Sequence, residues 1–339
     1  MACLSSPGPD PVAVSALPAE TRRQGYALPL AGPGAVLVDA DLSGRDLAFK
    51  DLSGAQIAGA NLKKANLFGA NLRGANLHGT QLDDADFTGA DLRGANLESA
   101  RGNRVGMSRA DLREARLGEA RLTHLSAVAA RFDDADLRGA DLSAARAASA
   151  SFVGCDATGV RLDAADLSEV DVRGACFDHA SLRGAEVRGM RDFAGASWLQ
   201  ADVRDISRVG ASRWHRHVMD QNYLHEFRRQ GRWNEFVYRL WRLTSDCGRD
   251  PRRWLVLTVL LTMGFGTAYQ LVPMDYGPHP TALSPFYFSV VTMTTLGFGD
   301  AIPASVGAQL LVIAQVVIGY VMLGGLLSLL TNKMARRGE

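Results

Sequence analysis

From Leu37 onward, large apolar residues return at every fifth position: Leu37, Leu42, Leu47, Leu52, Ile57, Leu62, Leu67, Leu72, Leu77, Leu82, Phe87, Leu92 and Leu97. The phase lapses at Gly102, resumes at Met107, Leu112, Leu117 and Leu122, and continues through Phe132, Leu137, Leu142, Phe152, Leu162, Leu167, Val172, Phe177 and Leu182 to Val187. Alanine stands two residues before most of these centres, as at Ala60, Ala65, Ala70 and Ala95, with Asp or Asn commonly between them and glycine often closing the unit. A period of five matches neither the 3.6 of a helix nor the 2 of a strand, so neither keeps these leucines on one face. The chain must turn a corner every five residues.

The repeat is preceded by residues 1–34, a proline-rich stretch expected to be a flexible arm, whose prolines interrupt every candidate signal-peptide core. Over residues 207–252 the pattern changes to a helical one. Trp233, Phe236, Val237, Leu240, Trp241 and Thr244 fall at i, i+3, i+4, i+7, i+8 and i+11, an amphipathic helix flanked by Arg239 and Arg242. An earlier helix, over about 213–229, is separated from it by Gly231. Two uncharged apolar stretches follow, Trp254–Val272 and Val306–Leu330, each long enough to span a bilayer. Between them a short apolar helix, Ser284 to about Thr294, runs into Thr295-Leu296-Gly297-Phe298-Gly299-Asp300.

The five-residue unit resembles the pentapeptide-repeat family. That resemblance implies a right-handed, four-sided β-helix over residues 35–206, one unit per side, with each centre and its preceding alanine turned inward. Units centred from Leu37 to Val187 number thirty-one, (187 − 37)/5 + 1, hence nearly eight coils. At the usual strand spacing the rod is roughly 35–40 Å long. Bulges or thin spots are expected around 102–105 and at Ala127, Ala147 and Ala157, where a large centre is missing. Past Val187 the register slips by one, to Phe193, Trp198 and Val203, which predicts a distorted last coil needing a cap over its open backbone groups. Cys155 occupies an alanine slot and is expected to be a small buried residue, with redox sensing through Cys155 or Cys176 as the alternative.

Thr295–Gly299 offers almost no side chain able to do chemistry, which leaves backbone carbonyls as the functional groups. Rings of such oxygens replace the hydration shell of a permeating ion, and irregular backbone at membrane depth is tolerated where it lines such a path. Gly297 and Gly299 fit, because pointing successive carbonyls to one side requires φ > 0 at alternate residues. The run resembles the selectivity filter of the potassium-channel family. That resemblance implies K⁺ sites at the carbonyls of Thr295, Leu296, Gly297 and Phe298, closed by Gly299, with the Thr295 hydroxyl adding a ring and Thr294 and Asp300 supporting the filter. Phe298 stands where tyrosine is more frequent. The preceding helix would aim the negative end of its dipole at the central cavity. Gly319 lies where inner helices of this family hinge, with Gly324 and Gly325 one turn later; close helix packing is the other reading of Gly319.

A net charge of +1 argues against a nucleic-acid partner, and the mixed charge of the repeat, with Lys63, Lys64, Arg73, Arg93, Arg113, Arg116 and Arg121 among its aspartates, weakens any mimicry of DNA. No cluster of His, Cys or carboxylate has metal or nucleophile spacing, so neither an enzyme nor a cofactor is expected beyond K⁺ as the permeant ion. His215, His217 and His225 are expected on a helix surface, with pH or metal sensing as the alternative. Between Arg213 and Arg253 ten arginines outnumber five acids, which suits anionic lipid headgroups; a helical hairpin packed on the end of the rod is the competing reading. No Lys or Arg occurs from Trp254 to Asn332, whereas both flanks, including the tail 333–339, are basic. Both termini are then cytoplasmic, in a multi-pass protein of the inner cell membrane.

The expectation is a two-part protein: an N-terminal β-helix and a C-terminal all-α pore domain over 253–332, of bacterial two-span potassium-channel type. One copy supplies one wall of a filter, so the channel is a homotetramer. The repeat domain would serve assembly or gating, directly or through an unidentified cytoplasmic protein partner. The alternative is a membrane-tethered interaction scaffold whose pore segment only anchors and oligomerises it.

Overall fold

The computed structural model describes residues 32–207, 209–245, 250–294 and 301–335. The chain divides into two compact units, Met1–His225 and Glu226–Glu339.

The first unit is built from parallel bridges that join residues twenty apart: Val36 to Gln56, Asp41 to Asn61, Asp46 to Asn66, and so on through Asp171 to Arg191. Twenty is four five-residue units, so each coil has four sides. Within a unit the backbone turns where the N–H of Ala40 donates to the Leu37 carbonyl at 3.2 Å, with Asp39 at φ 54°. That is the geometry of a type II turn, whose third residue takes positive φ and so favours glycine. The same position recurs as Gly34, Gly44, Gly54 and Gly59, which explains why glycine closes the unit. Leu37 then donates its N–H to the Gln56 carbonyl of the next coil at 2.6 Å. The Asp/Asn before each centre has two tasks. Asp41 accepts from the Ser43 N–H at 3.1 Å inside its own turn, and from the Asn61 amide one coil on at 3.0 Å. Asn66 on Asp46 and Asn71 on Asp51 repeat the ladder.

The missing centres produce no bulge. Gly102 lies in a regular strand, β1 (Arg101–Asn103), paired in parallel with β2 (Arg121–Thr123). A Cβ on Gly102 would stand 2.6 Å from Val105 Cγ2, because valine in an alanine slot has filled the space. Ala127 and Ala147 are likewise buried, one above the other, and the next centre along each coil is Phe132 and Phe152, stacked at 4.9 Å and 7°. Volume lost at one side is returned at its neighbour, as a close-packed interior requires.

The register slip falls between Arg191 and Ser197, where the pairing interval changes from twenty to twenty-one residues. The extra residue is taken up at Asp192, φ 54°, and a single 3-10 turn, Phe193–Gly195. Phe193, expected as a centre, is therefore only half-buried, whereas Trp198 is fully buried and stacks on Phe177 at 4.6 Å. Helix α1 (Ser212–Arg229) covers the open coil. Its Trp214 meets Trp198 edge-on at 5.3 Å. Gln221 accepts from the Trp198 N–H at 2.6 Å and donates to the Ala196 carbonyl; Asn222 accepts from the Gln200 N–H at 2.6 Å and donates to the Trp198 carbonyl. Two side-chain amides thus stand in for the coil that would follow.

The second unit contains α2 (Arg232–Ser245), α3 (Pro251–Ala268), β3 (Met274–Asp275), α4 (Ser284–Met293), β4 (Ile302–Pro303) and α5 (Val306–Ala335). Asp250 caps α3 by accepting from the Arg252 N–H, with Pro251 in the first turn. The helix stops at Ala268, four residues before the expected Val272. Tyr269 closes the last turn, and Pro273, without an N–H, cannot continue it. Among the described residues, the one helix long and apolar enough to cross a membrane is α5, over Val306–Thr331. The apolar stripe of α2 is exposed: Trp233 at 71%, Phe236 at 54% and Leu240 at 51%.

Candidate functional site

Helices α3, α4 and α5 pack pairwise, with α4 held between the other two. The segments on either side of α4 are tied together by the antiparallel pairing of β3 with β4, Met274 opposite Pro303 and Asp275 opposite Ile302. The chain from 275 to 302 is therefore a closed loop that carries α4 and the glycine-rich run. Six of α4's ten residues are buried, among them Phe288, Val291 and Met293. At its C-terminal end the Thr294 hydroxyl donates back to the Val290 carbonyl at 2.9 Å, so this candidate support residue satisfies the helix terminus. Thr295, Leu296, Gly297, Phe298, Gly299 and Asp300, the expected filter and its aspartate, lie outside the described residues.

A polar cluster that sequence periodicity does not announce joins α4 to the helices on either side. Gln315 is fully buried on α5, as are Ser289 on α4 and Tyr269 just past α3. The Tyr269 hydroxyl donates to Gln315 Oε1 at 2.6 Å, Gln315 Nε2 donates to the Ser289 carbonyl at 2.9 Å, and Ser289 Oγ donates to the Thr262 carbonyl at 2.6 Å. The signal available in the sequence was a glutamine deep within an apolar span, where polar residues are expensive; Gln309 stands nearer the start of the same span.

The three α5 glycines expected at a hinge have different surroundings. A Cβ on Gly319 would lie 2.8 Å from the Met293 carbonyl oxygen, and α5 is continuous through that point. Gly325 faces the Trp254 indole, which a Cβ placed there would overlap, and that indole donates its N–H to the Met322 carbonyl at 2.8 Å. Gly324 meets nothing within 4 Å.

The family model for pentapeptide repeats matches in eight copies, over residues 35–74, 65–101, 107–143 and 148–184, and the model for ion channels matches residues 255–336. The chain carries a pentapeptide-repeat domain and an ion-channel domain. Similar curated proteins are the two pore potassium channel b of Oryza sativa subsp. japonica, 38% identical over 100 residues, and the two-pore potassium channel 1 of Arabidopsis thaliana, 35% identical over 98. The first match covers 29% of each chain, the second 28% of this chain and 27% of the relative, so this chain spans under a third of the length of either. Among solved structures, HetL, a pentapeptide repeat protein of the cyanobacterium Nostoc strain PCC 7120, is 26% identical, with 50% of this chain and 86% of that one covered at a TM-score of 0.24.

In the pentapeptide-repeat domain the charged side chains neutralise one another locally. Arg93 reaches Asp91 two residues back at 2.5 Å, Arg138 reaches Asp136 the same way, and Arg204 and Arg183 both bind Asp202. Hydrogen bonds from Arg204, then Arg183, hold the Asp202 carboxyl well below the usual carboxylate range. Cys155 is buried in its alanine slot, and burial pushes its thiol up. Cys176 is half-buried beside the Thr158 hydroxyl at 3.3 Å. His215, His217 and His225 lie half-buried on α1, the His217 ring against Phe193 at 5.5 Å. The cap therefore absorbs part of the arginine-rich segment, while α2 leaves its aromatic stripe uncovered.

Proposed function

We propose that the chain is one subunit of a four-fold potassium-selective channel, in which K⁺ passes through the carbonyls of Thr295, Leu296, Gly297 and Phe298. The observation that carries this reading is the placement of α4. It is a ten-residue helix, buried at six positions, whose C-terminus leads directly into that run, in a loop closed by β3 and β4. Its dipole puts negative charge where a dehydrated cation needs it. Likeness to plant two-pore potassium channels supports K⁺ as the ion. One chain supplies one wall, so four copies surround the path.

Leu255, Val256, Val259 and Leu260 on α3, and Leu310, Ile313, Val317 and Val321 on α5, are exposed apolar residues, suited to lipid and to neighbouring subunits. With both spans crossing the inner membrane, the termini and the repeat domain are cytoplasmic. The exposed Trp233, Phe236 and Leu240 of α2, flanked by arginines, then rest among anionic headgroups. The repeat domain assembles or gates the pore, with Gly324, free of neighbours, as the point where α5 bends.

Purified full-length protein in liposomes tests the reading, with K⁺ against Na⁺ gradients and Gly299→Ala alongside. K⁺-selective flux abolished by the substitution is expected. Flux without preference for K⁺ would overturn the filter assignment.

A further inference from the structure

Gln315 stands in the middle of the most apolar stretch of the chain, yet both ends of its amide are engaged. Its oxygen accepts from Tyr269 at 2.6 Å; its nitrogen donates to the Ser289 carbonyl at 2.9 Å and lies 2.7 Å from the Ser289 hydroxyl. One orientation of the amide satisfies this set. The Ser289 carbonyl can only accept, and the Ser289 hydroxyl has already given its proton to the Thr262 carbonyl, so both need a donor from Gln315. The result is a directional chain, Tyr269 to Gln315 to Ser289 to Thr262, that joins α3, α4 and α5.

The chain also has a register. Four residues beyond Ser289 on α4 is Met293, and four residues beyond Gln315 on α5 is Gly319, whose surface admits the Met293 carbonyl. The two helices therefore meet at two successive turns, first by hydrogen bonds and then by close backbone approach. Packing by apolar side chains alone leaves sliding and rotation of α4 weakly determined, whereas a saturated buried polar network has one solution. Inside a bilayer no water can replace a side-chain partner that is lost.

We propose that Gln315, Ser289 and Tyr269 are positioning residues for ion selectivity: they fix the depth and rotation of α4, and so the place from which Thr294 leads into the conducting run. This rests on the conduction reading above. Discrimination by carbonyl cages depends on how many oxygens are presented and how they are held, so a loosened α4 admits Na⁺ before it stops K⁺.

The test uses the full chain in liposomes, comparing wild type with Tyr269→Phe, Ser289→Ala and Gln315→Leu for K⁺/Na⁺ permeability ratio and for assembled size in detergent. Tyr269→Phe keeps the ring and removes one hydroxyl; Ser289→Ala removes a relay group on α4 itself. Unchanged size with a K⁺/Na⁺ ratio lowered roughly tenfold, the equivalent of one hydrogen bond, is expected for Ser289→Ala and Gln315→Leu, with a smaller fall for Tyr269→Phe. A wild-type ratio in both Tyr269→Phe and Ser289→Ala overturns the positioning role, even where Gln315→Leu fails to assemble. Reduced flux or a reduced yield of assembled protein with the ratio unchanged overturns it as well, by showing a purely structural network. Absence of K⁺ selectivity in the wild type overturns the conduction reading itself, which separates the two failures.

Discussion

Gly319 lies so close to Met293 that a methyl group on the glycine would stand 2.8 Å from the methionine carbonyl oxygen. The obstacle is backbone, which cannot swing aside as a side chain would. Gly319→Ala is therefore expected to cost about 1–3 kcal/mol through overpacking. Gly324→Ala, with nothing within 4 Å, is expected to change stability by about 0.5 kcal/mol or less. Thermal unfolding of the detergent-solubilised protein measures both. The reverse order would mean that Gly319 is kept for bending rather than for close approach.

The amides of Gln221 and Asn222 close the end of the rod, so their loss should be read at the coil they cover. Gln221→Leu or Asn222→Leu leaves backbone groups of Ala196, Trp198 and Gln200 unpaired, at about 1–3 kcal/mol for each buried group. Hydrogen exchange at the Trp198 and Gln200 amides is expected to accelerate, while the amides of the first coils keep their rates.

Inside the rod, Ala147 and Phe152 are buried centres of consecutive units, on neighbouring sides of a coil. Phe152→Ala should cost about 3–5 kcal/mol as a cavity, and Ala147→Phe about 1–3 kcal/mol as overpacking. The double exchange is expected to cost less than the sum by at least about 1 kcal/mol, a coupling seen between residues in contact. Strict additivity in chemical unfolding would mean that the two sides pack independently.

Asp202 receives Arg204 and Arg183, which hold its carboxyl below the ordinary value; Asp91, with Arg93, and Asp136, with Arg138, are lowered the same way. A carboxyl with a lower value folded than unfolded stabilises above the unfolded value of about 3.9, and that contribution fades as pH falls through the folded value. The melting temperature of the rod is therefore expected to hold from pH 7 to about 5 and to drop below about 4. Asp202→Asn should flatten the acid limb and lower the neutral plateau.

Cys155, buried and with its thiol pushed up, should resist maleimide in the native protein and react only on unfolding, whereas half-buried Cys176 should label slowly in the native state. Native labelling of Cys155, followed by peptide mass, would show that the coil opens there.

Much of the β-helix was legible in the chain because each unit carries its own instructions. The centre residue, the alanine before it, the Asx side chain that binds its own turn and the glycine at positive φ all act within five residues, and repetition makes the signal strong. The expected bulges at Gly102, Ala127 and Ala147 did not form because their compensation is lateral. Val105 and the Phe132–Phe152 stack supply the missing volume, and nothing local says which neighbour will lean in.

For the ion-channel domain the sequence by itself determined the order of elements: an apolar helix, a short buried helix, a glycine-rich run and a long apolar helix. The conducting run is a reading of residue types, since five residues, Thr295 to Gly299, with almost no side chain able to do chemistry point to the backbone. Tertiary structure decided everything that needed a distant partner. Tyr269 finds Gln315 forty-six residues away, Trp254 finds Met322 sixty-eight residues away, and β3 meets β4 across the whole of α4. Such pairs leave no periodic trace, because a hydrogen bond between helices fixes two positions without constraining the residues between them.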